Sequence, residues 1–368
     1  MTRVAIIGCG VVGAAIAYEL SLVPNLEITV IDCHQPAQGS TQAALGVLMG
    51  IISHKVKGRL WRLREQSIRR YQTLIPELEA IAPIPFNRQG ILMLCFPGED
   101  MAQWEKLAAT RHHQGWQLDL LEPREVRRRY PQLGDVEIVG AVHSPQDGQV
   151  DPVALTRALV QAAQGNGVRF RFGEGVEQIY YTETELGKHC DRLEMTGGSL
   201  AVDWLVMSAG LGSTPLTAGL ASPVEIRPVL GQGIQLRLET PMGDSDRHPV
   251  ITGDDVHIVP CQGGDYPVTD YWVGATVEFT GEGDPIEGDP ALLKQVLERA
   301  ITFCPDLARG EIVRTWSGLR PRPEGQPAPI IGPLAGFENV LLATGHYRNG
   351  VLLAPATALE IRQAIAWS

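Results

Sequence analysis

Residues 3–32 run Arg3-Val4-Ala5-Ile6-Ile7, then Gly8-Cys9-Gly10-Val11-Val12-Gly13, then Ala14 to Ser21, then Glu27 to Ile31, and end at Asp32. An apolar strand, a G-x-G-x-x-G turn, a helix, a second strand and a terminal acid form a dinucleotide-binding βαβ unit in its full context. Each glycine has its own task. Gly8 makes the tight turn, Gly10 lets backbone approach the pyrophosphate, and Gly13 lets the helix pack close on the strand. The helix N-terminus, where Val11 and Val12 lie, offers N–H groups and a positive dipole end to the phosphates. Asp32 stands where a carboxylate accepts hydrogen bonds from the adenosine ribose.

Composition agrees with an enzyme. The 368 residues suffice for two domains with proper cores. A formal net charge of −11 argues against nucleic acid as a partner, because phosphates would be repelled. No apolar run is long enough to cross a bilayer, and the first strand begins almost at once, so the cytoplasm is the expected location. The cysteines, Cys9, Cys33, Cys95, Cys190, Cys261 and Cys304, lack C-x-x-C or Cys/His ligand spacing, so neither disulfides nor a metal site is expected.

Further along, Lys57 to Ile81 carries apolar residues at helical spacing, with Pro76 expected to kink or split the helix. Lys55, Lys57, Arg59, Arg62, Arg64, Arg69 and Arg70 make this stretch basic. A solvated helix face is the commoner outcome of such a run; docking to an anionic membrane or acidic partner is the other reading. Arg127-Arg128-Arg129 is read the same way. Asp151 and Pro152 supply the N-cap and first position of a helix from Val153 to Gln164. Strands follow at Val168 to Phe172 and around Gly175 to Tyr180. Trp204 to Ser208 then runs into Ala209-Gly210-Leu211-Gly212, small residues that let backbone approach a cofactor. Alternating strands at Gly231 to Leu238, His257 to Pro260 and Tyr271 to Thr276 precede a helix from Pro290 to Phe303. The chain closes with strand Asn339 to Ala343, the turn Gly345-His346-Tyr347-Arg348-Asn349-Gly350 and a helix from Val351 to Trp367. The expected fold is a Rossmann-like α/β domain (1–84, 143–222 and 318–368) interleaved with an antiparallel-sheet, α+β substrate domain (85–142 and 223–317).

These segments, together with Gly39 to Leu48, Asp147 to Pro152, Val273 to Thr276 and Gly318-Leu319-Arg320-Pro321, resemble in collinear order the FAD-dependent D-amino-acid oxidase superfamily, and within it the glycine oxidases. The resemblance implies FAD rather than a nicotinamide dinucleotide. It places Val11 and Val12 along the pyrophosphate, Asp32 and Cys33 at the ribose, and Thr41 and Gln42 at the phosphate and ribityl region. Gly46, Val47 and Leu48 would pass the flavin ring, where Gly46 admits close backbone approach, and Val176 would meet the adenine. His346, in the last turn, would join the cofactor-binding residues, and Asn349, Gly350, Val351 and Leu352 would direct helix N–H groups at the charge that builds on reduced flavin. Arg320, set between turn-forming residues, would grip the substrate carboxylate, with Arg348 beside it.

The implied reaction is oxidative deamination of a small amino acid, glycine or a related amine, to the imine and keto acid, with oxygen reduced to hydrogen peroxide. For glycine the imine could also feed thiazole synthesis, as in the family's thiamin role. Two departures bear on the substrate. The family tends to have tyrosine where this chain has His257 and arginine where it has Cys261. His257 is therefore a candidate substrate contact or a satisfied strand histidine. No cysteine lies near Gly318 to Gly325, so the flavin is expected to be noncovalent. The alternatives are a dehydrogenase delivering electrons to a quinone or carrier, and a flavin-binding interaction protein with a decayed site. The intact Arg320 and closing turn argue against decay. A homo-oligomer is left open.

Overall fold

The structure is a computed structural model that describes all residues except 186, 221, 245, 246, 262, 265, 280, 282–285 and 367–368. Its first sheet has six strands in the order Ile330–Pro333, Val340–Thr344, Trp204–Met207, Thr2–Ile7, Leu26–Asp32 and Arg169–Phe172. All pairings are parallel except that between Ile330–Pro333 and Val340–Thr344. Both faces of the sheet centre are covered, which is why residues 4–7, Trp204–Met207 and residues 340–343 read as unbroken apolar runs, while the edge strand Arg169–Phe172 alternates arginine with phenylalanine. Val4, Ile6, Ile28, Val30 and Val206 join the core under helices Val11–Ser21, Pro152–Gly165 and Gly350–Ala366. Ala5, Ile7, Ile31, Leu205 and Met207 point the other way, into the core under a small sheet of Val176–Glu183, Lys188–Met195 and Gly198–Ala201.

The second large sheet has nine strands. Its path is Glu278–Phe279, Ile226–Arg237, Asp270–Gly274, Val256–Pro260, Val250–Gly253, Ile91–Cys95, Gly140–Ser144 and Asp119–Leu121, and the ninth strand, Glu311–Pro323, pairs with Ile226–Arg237. It is antiparallel except for Val250–Gly253 beside Ile91–Cys95. The chain thus visits the two large sheets alternately, a Rossmann-like α/β layer interleaved with an α+β layer. A three-stranded sheet of Val47–Leu48, Gly148–Val150 and Phe86–Asn87 lies apart from both.

Several sequence expectations change. The helix Gly58–Glu79 continues through Pro76 without splitting. Burial of Tyr71, Leu74, Ile75 and Leu78 on both sides of the proline holds it, and the Tyr71 hydroxyl donates to Val351 O at 2.6 Å. Tertiary packing outweighs the lost backbone bond here. The Gly318 to Pro321 segment is no turn but part of the strand Glu311–Pro323. Gly318 is small because a Cβ there would lie 2.1 Å from the Ala43 Cβ. The basic run is no uniform surface either. Arg70 is bound to Glu19 at 2.6 Å and Glu77 at 2.8 Å, Arg59 reaches Glu360 at 2.8 Å, and Arg64 turns inward. The closing helix is described to Ala366, and Trp367 lies outside the described residues. No helix among the described residues is long and apolar enough to cross a membrane.

Candidate active site

A single cavity of about 1710 Å³ runs along the C-terminal ends of the parallel strands, past Ile7, Ile31, Ser208 and Ala343, and on to the antiparallel sheet. That edge is where open α/β sheets bind ligands. At one end the glycines behave as their spacing requires. Gly8 has φ +102°, and a Cβ on it would meet Ser208 O at 2.6 Å; a Cβ on Gly13 would fall 1.9 Å from Gly8 O. Gly10, Val11 and Val12 line the cavity, and Thr41 Oγ1 accepts from Val11 N at 3.0 Å. Asp32 accepts from Cys9 N at 2.6 Å and His34 N at 2.9 Å, which fixes an acceptor-only carboxylate on the wall beside Cys33. Gln42 and Val176 also line this stretch. A glycine cradle at a helix start whose N-cap, Gly10, carries no side chain, with a fixed acid at the next strand end, fits an adenine dinucleotide.

The middle of the cavity is bounded by Gly46, Val47 and Met49. Gly46 has φ +74°, and a Cβ would sit 1.8 Å from Val150 O, so the crossing of the small sheet is what demands glycine. Leu48 does not reach the cavity. It alternates with Val47 and Met49 and is buried in the main core.

The far end draws on three distant segments. Arg320 lies opposite Val229 in the strand pair, and its Nη1 and Nη2 donate to Leu230 O at 3.0 Å and Thr276 O at 2.9 Å. The guanidinium rests flat on Gly231, where a Cβ would be 2.2 Å from both Nη atoms. Among the described residues no carboxylate forms an ion pair with it, and burial together with nearby Arg348 pulls its pKa down. Arg348 is exposed and lines the same chamber. His257 lines it too, with Nδ1 2.9 Å from Thr252 Oγ1. Burial, helped by Arg348 and Arg320 against the opposing Asp255, lowers His257 to about 4, so the ring is neutral.

The last turn is held to the arginine strand by Tyr347 N donating to Pro321 O at 3.0 Å, and Tyr347 occupies the left-handed region at φ +52°. His346 lines the wall, but its ring is committed: Nε2 lies 2.9 Å from Thr357 Oγ1. Since that hydroxyl donates to Leu353 O at 2.8 Å, His346 carries its proton on Nε2. Burial lowers it to about 3. Gly350, Val351 and Leu352 follow at the helix start and line the cavity, whereas the Asn349 N–H expected to join them donates to His346 O at 3.0 Å, and Asn349 O accepts from Leu353 N at 2.8 Å.

Other wall residues escaped the sequence reading. Trp316 donates through Nε1 to Ala43 O at 3.0 Å, and the His54 ring packs at a 48° tilt against Trp104, centroids 4.4 Å apart. Asp147, buried, accepts from Gly50, Ile51 and Ile52 N–H groups, each at 2.8 Å, and so holds the loop that carries Ile52 to His54 onto the cavity. Arg64 lines the cavity between Met49 and Asn349.

A dinucleotide cradle that opens onto a chamber where, among the described residues, Arg320 and Arg348 form no ion pair is the layout of a dinucleotide-dependent oxidoreductase. Residues 3–364 match the family described as FAD dependent oxidoreductase, and the chain belongs to it, with FAD as cofactor. The glycine oxidase of Geobacillus kaustophilus is 27% identical over 370 residues, spanning 98% of this chain and 92% of that protein. Its crystal structure superposes with a TM-score of 0.84, covering 98% of this chain and 94% of that one. The bifunctional protein ThiO/ThiG of Synechocystis sp. is 32% identical over 369 residues, which is 98% of this chain and 51% of that protein. The chain therefore spans about half the length of that relative.

Proposed function

We propose that the protein oxidises a small amino acid, glycine or a closely related amine, to its imine, with oxygen as electron acceptor and hydrogen peroxide as product. The observation that carries this reading is Arg320, a half-buried guanidinium held by two carbonyls and, among the described residues, paired with no carboxylate, at the far end of the cavity. A substrate carboxylate supplies the missing charge, and the planar fork suits it. Arg348 adds a second cation at the mouth. The burial that keeps His257 neutral, with Arg348 and Arg320 adding to it, also disfavours an ammonium, so the site favours the amine as a free base, the form whose nitrogen lone pair can assist loss of hydride from Cα.

Noncovalently bound FAD supplies the hydride acceptor and passes both electrons to oxygen. The protein's share is orientation and desolvation. Arg320 fixes the carboxylate end, Trp316 and the 50–55 loop exclude water, and the N–H groups at Gly350, Val351 and Leu352 face the negative charge of the reduced cofactor. The released imine hydrolyses to a keto acid and ammonia; for glycine the acid is glyoxylate, and the imine is a unit for thiazole assembly.

Oxygen uptake with a panel of small amino acids tests this reading. Equal amounts of oxygen consumed, peroxide formed and keto acid formed are expected for the best substrate. Fast dye reduction with no peroxide would replace the oxidase with a dehydrogenase.

A further inference from the structure

The helix Gly58–Glu79 lays its apolar stripe, Trp61, Ile68, Tyr71, Ile75 and Leu78, on the core, and Arg64 falls on that stripe. Its Nη1 donates to Met49 O at 2.8 Å and its Nη2 to Asn349 Oδ1 at 3.3 Å, while its buried Nε has no partner among the described residues. The guanidinium thus bridges two segments that line the cavity, one following Gly46 and one starting the closing helix, the segments assigned above to the flavin. Among the described residues it forms no ion pair. The acid that acts on it, Asp147, already receives Gly50, Ile51 and Ile52 N–H groups and the Ser144 hydroxyl at 2.8 Å. Burying a cation without a counterion is costly, and burial accordingly pulls this guanidinium below its ordinary range. The site gains most from such a charge when a negative one appears beside the helix N-terminus.

We propose that Arg64 is a positioning residue for the flavin: it locks the Met49 carbonyl and the Asn349 side chain in place and holds a positive charge at the end of the cavity where reduction deposits a negative one. Arg64 thereby raises the reduction potential of the bound cofactor, acting with the helix dipole of Gly350–Ala366. This rests on the flavin site and not on which amino acid is oxidised, and its test uses no substrate.

Arg64→Gln, Arg64→Met and Arg64→Lys would be prepared with saturating FAD. Two quantities are read: the two-electron midpoint potential by dye equilibration, and the affinity for sulfite, whose adduct with oxidised flavin leaves negative charge on the ring. Gln and Met should weaken sulfite binding about tenfold or more and shift the potential about 30 mV negative for each tenfold. Lys should retain most of both. Where wild type forms no sulfite adduct, the potential alone decides. Should Met fail to fold, Gln, which keeps a hydrogen-bonding end without the charge, carries the comparison. A Gln or Met variant that melts and binds FAD like wild type, with potential and sulfite affinity unchanged, would overturn the proposal and leave Arg64 as a brace.

Discussion

Alanine at Gly231 should disable Arg320 without touching it. The added Cβ would lie 2.2 Å from Nη1 and Nη2 and 2.3 Å from Cζ, far inside ordinary contact at about 3.5 Å. Gly231 sits in a regular strand opposite Gly318, so the backbone tolerates alanine, and the flexible arginine end is what must move. Moving it breaks the bonds to Leu230 O at 3.0 Å and Thr276 O at 2.9 Å that aim the fork. A misaligned charge-assisted bond to the substrate carboxylate forfeits about 1.5–3 kcal/mol, which is roughly 10- to 150-fold in kcat/KM. The assay is steady-state oxidation of the best amino acid, beside titration with a small carboxylate that cannot be oxidised. The inert carboxylate should weaken by a similar factor, since the loss is in binding. Wild-type kcat/KM in a Gly231→Ala protein of normal stability would refute the placement of Arg320 at the carboxylate.

Gly13→Ala, whose Cβ would meet backbone at 1.9 Å, should destabilise the protein by about 1–3 kcal/mol and strip it of FAD, read from urea unfolding and the flavin spectrum. Asp147→Asn replaces an acceptor that serves Gly50, Ile51, Ile52 and Ser144, so it should cost about 2 kcal/mol or more and expose the 50–55 loop to protease. His257 and His346, lowered to about 4 and about 3 from 6.5, stay unprotonated in the native state while the unfolded chain takes up protons below pH 6.5. Their contribution is therefore complete above that pH and is lost as pH falls, toward 4 for His257 and toward 3 for His346, by at most roughly 1.4 kcal/mol per unit for each histidine. His346→Gln should flatten the fall of urea midpoint with acid; an unchanged slope would contradict the assignment.

The first thirty-two residues were legible because glycine spacing is a backbone requirement that admits few substitutes. The chamber was harder to read, since Arg320 and His257 converge through sheet pairing, with Val229 opposite Arg320 and Gly274 opposite His257, and the turn of Arg348 joins them through the bond from Tyr347 N to Pro321 O. Family resemblance, not residue pattern, singled them out. Arg64 was hidden in a run of like charges, yet its position three after Trp61 and four before Ile68 places it on the buried stripe. That spacing was the available signal. Gly318 and Pro321 suggested a turn because those residues usually make one; here close packing on Ala43 uses the glycine instead. The parallel pairing of Val250–Gly253 with Ile91–Cys95 joins segments far apart in sequence and leaves no local trace.

An anaerobic titration of the purified yellow protein with small amino acids tests the central claim most directly. Bleaching of the visible flavin band by glycine or a close relative, with colour restored when air is readmitted, is the predicted result. A flavin band that no amino acid bleaches, in protein that dithionite reduces normally, would contradict the account.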